Sequence, residues 1–245
     1  MERKTEQIRD VALLGHLGSG KTSLAEAMLF NGKSTNRLGK VDDGTSNMDF
    51  EPEEIKRKIT INSSFHHCDW KKYYINIIDT PGDDNFISDT RFSLQAADSA
   101  IVVIDATAGV KVGTEKVWAF ADEQKLPRII FINKMDRERA DFFKVVDEVS
   151  NIFKVKATPV FLPIGAEDKF QGLVDLIKMK AHIFSKDGSG KFEDTLNVLE
   201  GEDQKKQKKT FSYPCGECFG TGKVQNPCRE CGGHKNLYKY EIPLL

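Results

Sequence analysis

The segment Gly15-His16-Leu17-Gly18-Ser19-Gly20-Lys21-Thr22 stands between the apolar run Val11 to Leu14 and a helical pattern that starts at Ser23. This order reads as a strand, a phosphate-binding loop and a helix start. Glycines let the backbone wrap a polyphosphate, and loop amides at a helix N-terminus supply positive potential. In such a loop Lys21 reaches the β/γ oxygens and the Thr22 hydroxyl ligates Mg²⁺. His16, the second residue of the loop, is expected to pack or to space the backbone.

Around this loop the chain alternates. Strand-like runs fall at Val11 to Leu14, Ile59 to Phe65, Tyr74 to Ile78, Ala100 to Ile104, Arg128 to Ile132 and Thr158 to Leu162. Helical spacing of apolar residues falls at Ser23 to Phe30, Asp89 to Ala97, Thr114 to Gln124, Ala140 to Phe153 and Leu173 to Met179. The pattern predicts an α/β fold, a mostly parallel sheet with helices on both faces, whose ligands sit beyond the C-terminal strand ends. With 245 residues and a formal net charge of −1, the chain has no global field that would draw it to a polyanion. No stretch approaches the roughly 20 apolar residues of a membrane span, and the N-terminus lacks an apolar signal core, so a cytoplasmic location is expected, without membrane or DNA partners.

Each further motif lies at an expected strand end. Asp79-Thr80-Pro81-Gly82 closes the run Tyr74 to Ile78, with Asp79 placed to hold Mg²⁺ and the Gly82 amide to sense the γ-phosphate. Asn133-Lys134-Met135-Asp136 closes the run Arg128 to Ile132. An Asp136 carboxylate accepts from guanine N1–H and the exocyclic amine, a donor pair that adenine lacks, which selects GTP and GDP over ATP. A third strand end, Ile164-Gly165-Ala166, offers backbone N–H to guanine O6.

Together with Leu162 to Gly172, these motifs make residues 8–185 resemble the G domain of bacterial elongation factor G. The resemblance implies a P-loop GTPase fold, GTP/GDP and Mg²⁺ as ligands, and a ribosomal or rRNA context. It also implies that Thr60, in Lys56 to Ile61, meets Mg²⁺ and the γ-phosphate at the end of a first switch. The stretch Leu38 to Lys58, without apolar periodicity, is expected to order and disorder with the nucleotide. Three departures stand out. Lys58 replaces a usual Gly, Gly18-Ser19 replaces a commonly acidic loop position, and Asp83 replaces the His that positions the attacking water. An ionised Asp83 near the γ-phosphate donates no proton, so hydrolysis is expected to be slow. The alternatives are a non-hydrolysing module that binds guanine nucleotide, RNA or ribosome, and a truncated fragment of an elongation factor. The resembled factor needs domains beyond its G domain, so this chain is not expected to be a complete one.

Downstream, residues 186–212 read as a linker or partial inserted subdomain, with a lysine run at Lys205, Lys206, Lys208 and Lys209. Cys215, Cys218, Cys228 and Cys231 form two Cys-x-x-Cys pairs in a zinc knuckle expected over 213–237, followed by a tail over 238–245. The knuckle is similar to half of the cysteine-rich region of DnaJ-type cochaperones. Cys68, alone in a strand-like stretch, is expected to be buried.

Overall fold

The structure, a computed structural model, describes residues 3–185, together with the backbone of 192–197, 208–214 and 236–243. The chain divides into two compact units, Met1–Val155 and Lys156–Leu245. In chain order the first carries β1 (Ile8–Leu14), α1 (Lys21–Asn31), α2 (Pro52–Arg57), β2 (Ser64–Trp70), β3 (Tyr73–Asp79), α3 (Ile87–Ser93), β4 (Ser99–Asp105), α4 (Val112–Glu123), β5 (Arg128–Asn133) and α5 (Phe142–Phe153).

These strands form one sheet in the order β2-β3-β1-β4-β5. β1, β3, β4 and β5 run parallel and β2 pairs antiparallel with β3. Because β1 lies between β3 and β4, the chain leaves it toward one side and returns on the other. That reversal opens a crevice beyond the C-terminal end of β1, where the glycine-rich loop begins. Strand alternation puts Leu13 and Ile77 on one face, packed with Ala25 and Leu29 of α1, Met48 and Cys68, all buried. Ala12, Leu14 and Ile78 take the opposite face and are buried as well. The expected burial of Cys68 is met. At the far edge Trp118 of α4 stacks on Phe153 of α5 with ring centroids 4.0 Å apart.

The second unit holds β6 (Phe161–Ile164), β7 (Gly172–Asp175), β8 (Lys180–Phe184) and β9 (Phe192–Asn197) in an antiparallel sheet of that order. β10 (Lys208–Pro214) and β11 (Asn236–Pro243) form a separate antiparallel pair. Three expectations are corrected. The run Thr158 to Leu162 does not join the parallel sheet. Its strand, β6, pairs with β7 as an edge, a position that tolerates Pro163, which has no N–H to donate. Leu173 to Met179 is not a helix. The Asp175 carboxylate accepts from the amides of Ile177 at 2.9 Å and Lys178 at 3.0 Å, and this turn between β7 and β8 outweighs the helical spacing. Strand β2 begins at Ser64 and not at Ile59, because carboxylates take the preceding amides. Glu54 accepts from Ile61 at 2.9 Å and Asn62 at 3.1 Å, and Asp89 accepts from Ser63 at 2.5 Å.

Candidate nucleotide-binding site

Gly15 to Gly20 wrap the C-terminal end of β1 into a loop that only glycines can close at two points. A β-carbon on Gly15 would run into the Val103 carbonyl of β4, and one on Gly20, whose φ is +96°, would run into the Asn133 amide. Lys21 opens α1 but folds back. Its ammonium donates to the carbonyls of Gly15 at 3.1 Å and His16 at 3.2 Å. Gly82 lies against this ammonium and the Leu17 amide so closely that no side chain would fit there.

A hydroxyl chain ties the loop to the segment before β2. Thr60 donates to Asp49 at 2.8 Å, so at the 3.0 Å contact between the Thr22 and Thr60 hydroxyls it is Thr22 that donates. Beside them Asp79 ends β3 with both carboxylate oxygens buried and without a hydrogen-bond partner, and Asp49 Oδ2 is equally orphaned. Burial pushes Asp79 up to about 7, against the pull of the Lys21 charge. Burial likewise pushes Asp49 up to about 6, against its hydrogen bond from Thr60. Lys21 is pushed down to about 8 by burial, against Asp79 and Asp49. A buried lysine and two buried carboxylates each resist ionisation here, and a phosphate with a divalent cation would relieve all three. Two carboxylates and two hydroxyls are the all-oxygen donor set that suits Mg²⁺.

The turn after β5 locks onto the same loop. Asn133 Nδ2 donates to the Ser19 carbonyl at 2.9 Å and Lys134 Nζ to the Gly18 carbonyl at 2.6 Å. Lys134 is also ion-paired with Asp105, at the end of β4, at 2.8 Å. Although burial opposes it, the Lys134 ammonium and the Thr107 hydroxyl and amide hold Asp105 down at about 2. Asp136 is exposed at this turn.

Comparison with known proteins bears on what this loop geometry serves. Residues 6–226 match the family described as the elongation factor Tu GTP binding domain. The chain belongs to that family. It is 44% identical over 185 residues to elongation factor G of Thermotoga petrophila, covering 75% of this chain and 27% of that protein. With elongation factor G 1 of Treponema denticola the identity is 44% over 175 residues, covering 71% of this chain and 26% of that protein. A crystal structure from Thermus thermophilus superposes with a TM-score of 0.71 at 33% identity, covering 77% of this chain and 28% of that one. The chain is therefore a G domain related to elongation factor G, and it spans about a quarter of the length of these relatives.

Within this G domain the first unit brings together Gly15, His16, Leu17, Gly18, Ser19, Gly20, Lys21, Thr22, Thr60, Asp79, Gly82, Asn133 and Lys134. Gly165 and Ala166 belong to the second unit, where Gly165 at φ +78° turns the chain after β6. The Asp83 carboxylate is turned back onto its own loop, accepting from the Asn85 amide at 2.9 Å and side chain at 2.8 Å. His16 packs as expected. Its Nδ1 lies 3.0 Å from the Thr114 hydroxyl, and its Cα and Cβ fill the space beside Gly113.

Sequence reasoning missed three residues. Asp49 and Asp105 lie outside the short motifs. Glu26, one turn after Thr22 on α1, is fully buried and accepts from Ser46 Oγ at 2.7 Å and from the amides of Asn47 at 2.5 Å and Met48 at 3.0 Å. A charged residue at an inward helical position was its one available signal. The stretch expected to switch is ordered here and contains α2, whose left-handed C-cap is Lys58 at φ 58°. Glycine adopts that conformation without strain, whereas a lysine does not. The four cysteines lie outside the described residues, and among the described residues no group of three or more His, Cys, Asp or Glu side chains is placed to hold a metal ion. No helix among them is long and apolar enough to cross a membrane.

Proposed function

We propose that this chain is a guanine-nucleotide switch of the elongation factor G type that binds GTP and GDP with Mg²⁺ and hydrolyses GTP slowly. The observation that carries this reading is the pair of bonds from Asn133 and Lys134 to the carbonyls of Ser19 and Gly18. They join the turn that would read the base to the loop that would hold the phosphates. Recognition of the base and grip on the phosphates are thereby one rigid unit.

In this reading the amides of Gly15 to Gly20 and the Lys21 ammonium hold the β- and γ-phosphates. Thr22, Thr60 and Asp79 hold Mg²⁺, with Asp49 orienting Thr60 through its hydrogen bond. Asp136 accepts from guanine. Bound Mg²⁺ would neutralise charge that develops on the phosphate oxygens. Gly82, pressed against Lys21, is the point at which a γ-phosphate would be felt by the chain entering α3. Slow turnover follows from Asp83, whose carboxylate cannot donate a proton and is held by Asn85. The same observation favours a second reading, a switch that binds guanine nucleotide without hydrolysing it.

The finer proposals follow the relatives: a ribosomal partner and a cytoplasmic setting. For Cys215, Cys218, Cys228 and Cys231 we propose a structural zinc site, supported by their spacing and by the pairing of the flanking strands β10 and β11.

Titration with a fluorescent GTP analogue and Mg²⁺, with GDP and ATP as competitors, tests the central reading. Saturable binding displaced by GDP and not by ATP is expected. Absence of saturable binding, or equal displacement by ATP, overturns it.

A further inference from the structure

We propose that the β2–β3 hairpin, with residues 3–9, is a docking surface for single-stranded RNA, separate from the nucleotide site. It gives the ribosomal reading a physical surface, and it rests on that reading for the choice of RNA among polynucleotides.

A shallow cavity of about 480 Å³ opens at the hairpin, lined in part by Arg3, Asp69, Lys71, Lys72, Tyr73 and Tyr74. The Arg3 guanidinium carbon sits 3.8 Å from the centroid of the Tyr74 ring, and Tyr74 stacks on His67 at 4.7 Å. The Arg3 side chain is 45% exposed. Nη2 of Arg3 spends its hydrogens on the two oxygens of Asp69, at 3.0 and 3.1 Å. The ion pair fixes the guanidinium plane, and a fixed, partly exposed plane on a tyrosine ring is a seat for an unstacked base, while the Nε and Nη1 hydrogens can meet a phosphate.

Charge supports the same occupant. Arg3, Lys4, Arg9, Lys71 and Lys72 stand against Glu6 and Asp69 here, while the whole chain has a net charge of −1. Lys71 and Lys72 are exposed on the hairpin turn. Interleaved cations and rings are how proteins track a single strand, the phosphates on the cations and the bases on the planes. The surface lies at the N-terminal ends of β1 and β3 and the phosphate loop at their C-terminal ends. A seven-residue strand separates the two by about 20 Å, so both can be filled at once.

The test is fluorescence anisotropy of a fluorescein-labelled decauridylate titrated with the full chain, with and without GDP and Mg²⁺, from 50 to 200 mM KCl. Saturable binding is expected in either nucleotide state, with a log-log salt slope of about −2 for about three neutralised phosphates. Lys71→Glu with Lys72→Glu should weaken it about tenfold or more and flatten the slope. Arg3→Lys keeps the charge and loses the plane, and should still weaken it severalfold. GDP affinity, measured separately, should stay unchanged in both variants, which separates failure of this surface from failure of the nucleotide reading. Four results would overturn the proposal: no saturable binding at 50 mM KCl, unchanged affinity in the variants, displacement by polyglutamate as effective as by unlabelled RNA, or loss only when Lys205, Lys206, Lys208 and Lys209 become Glu.

Discussion

Replacing Glu26 should release the segment that precedes Thr60. Its carboxylate has no exposed surface, and one oxygen, Oε1, accepts from Ser46 Oγ and from the Asn47 and Met48 amides, while Oε2 accepts from Asn47 Nδ2 at 2.8 Å. Glu26→Ala would take this acceptor from all four donors and leave the Met48 amide only the Ser46 hydroxyl, at 3.1 Å. Ser46 and Asn47 are half-buried and can regain water, whereas the Met48 amide is hydrogen-bonded within buried surroundings. An unsatisfied buried donor costs about 1–3 kcal/mol, and bonds to a charged acceptor are the stronger kind, so a loss of about 2–4 kcal/mol is expected. Glu26→Gln keeps one carbonyl oxygen for the three donors on Oε1, and the Asn47 amide can rotate to meet the new NH₂, so about 1 kcal/mol should be lost. Both tryptophans, Trp70 and Trp118, lie in the first unit, so their fluorescence in urea reads the stability of that unit. With a denaturant slope of about 2 kcal/mol per molar, Ala should lower the midpoint by about 1–2 M and Gln by about 0.5 M. Hydrogen exchange should accelerate first at residues 47 and 48. An Ala variant within about 0.5 kcal/mol of the parent, or a Gln variant as damaged as Ala, would refute the reasoning.

Three shorter predictions follow from the same geometry. Lys58→Gly should raise stability by about 0.5–1 kcal/mol in the same urea assay, because Lys58 caps α2 at φ 58°, where a side chain is strained; a destabilised variant would count against that cap. His16 is held down at about 4, by burial first and then by the Lys21 charge. The unfolded chain therefore binds the proton that the folded one refuses, so its contribution is intact above about pH 6.5 and is lost as pH falls toward 4. Discounted for its partial exposure, that loss is about 1–2 kcal/mol, and His16→Gln should flatten the stability–pH curve in that window. Asp83→His should raise single-turnover GTP hydrolysis more than tenfold; an unchanged rate would show that position 83 does not limit the reaction.

What was legible in the sequence was what local chemistry dictates. The loop from Gly15 to Thr22 reads as a phosphate cradle because close backbone approach needs glycines at Gly15 and Gly20, and the structure puts a carbonyl and an amide where their side chains would be. The apolar runs of β1, β3 and β4 were readable because strands covered on both faces are continuous in hydrophobicity. Where local pattern competed with a distant partner, the partner prevailed. The start of β2 was set by Glu54 and Asp89, and the fate of Leu173 to Met179 by the Asp175 turn and the pairing with β8.

The sequence by itself determined a nucleotide-type loop, its neighbouring strand-end motifs and the family they resemble. Tertiary structure alone decided which acidic residues besides Asp79 serve that loop. Glu26 meets Met48 across 22 positions, Asp49 meets Thr60 across 11, and Lys134 reaches back 116 residues to Gly18 while pairing with Asp105. A carboxylate in a sequence carries no mark of the donors it will meet. Its role is settled when folding removes water from it and leaves only those donors within reach.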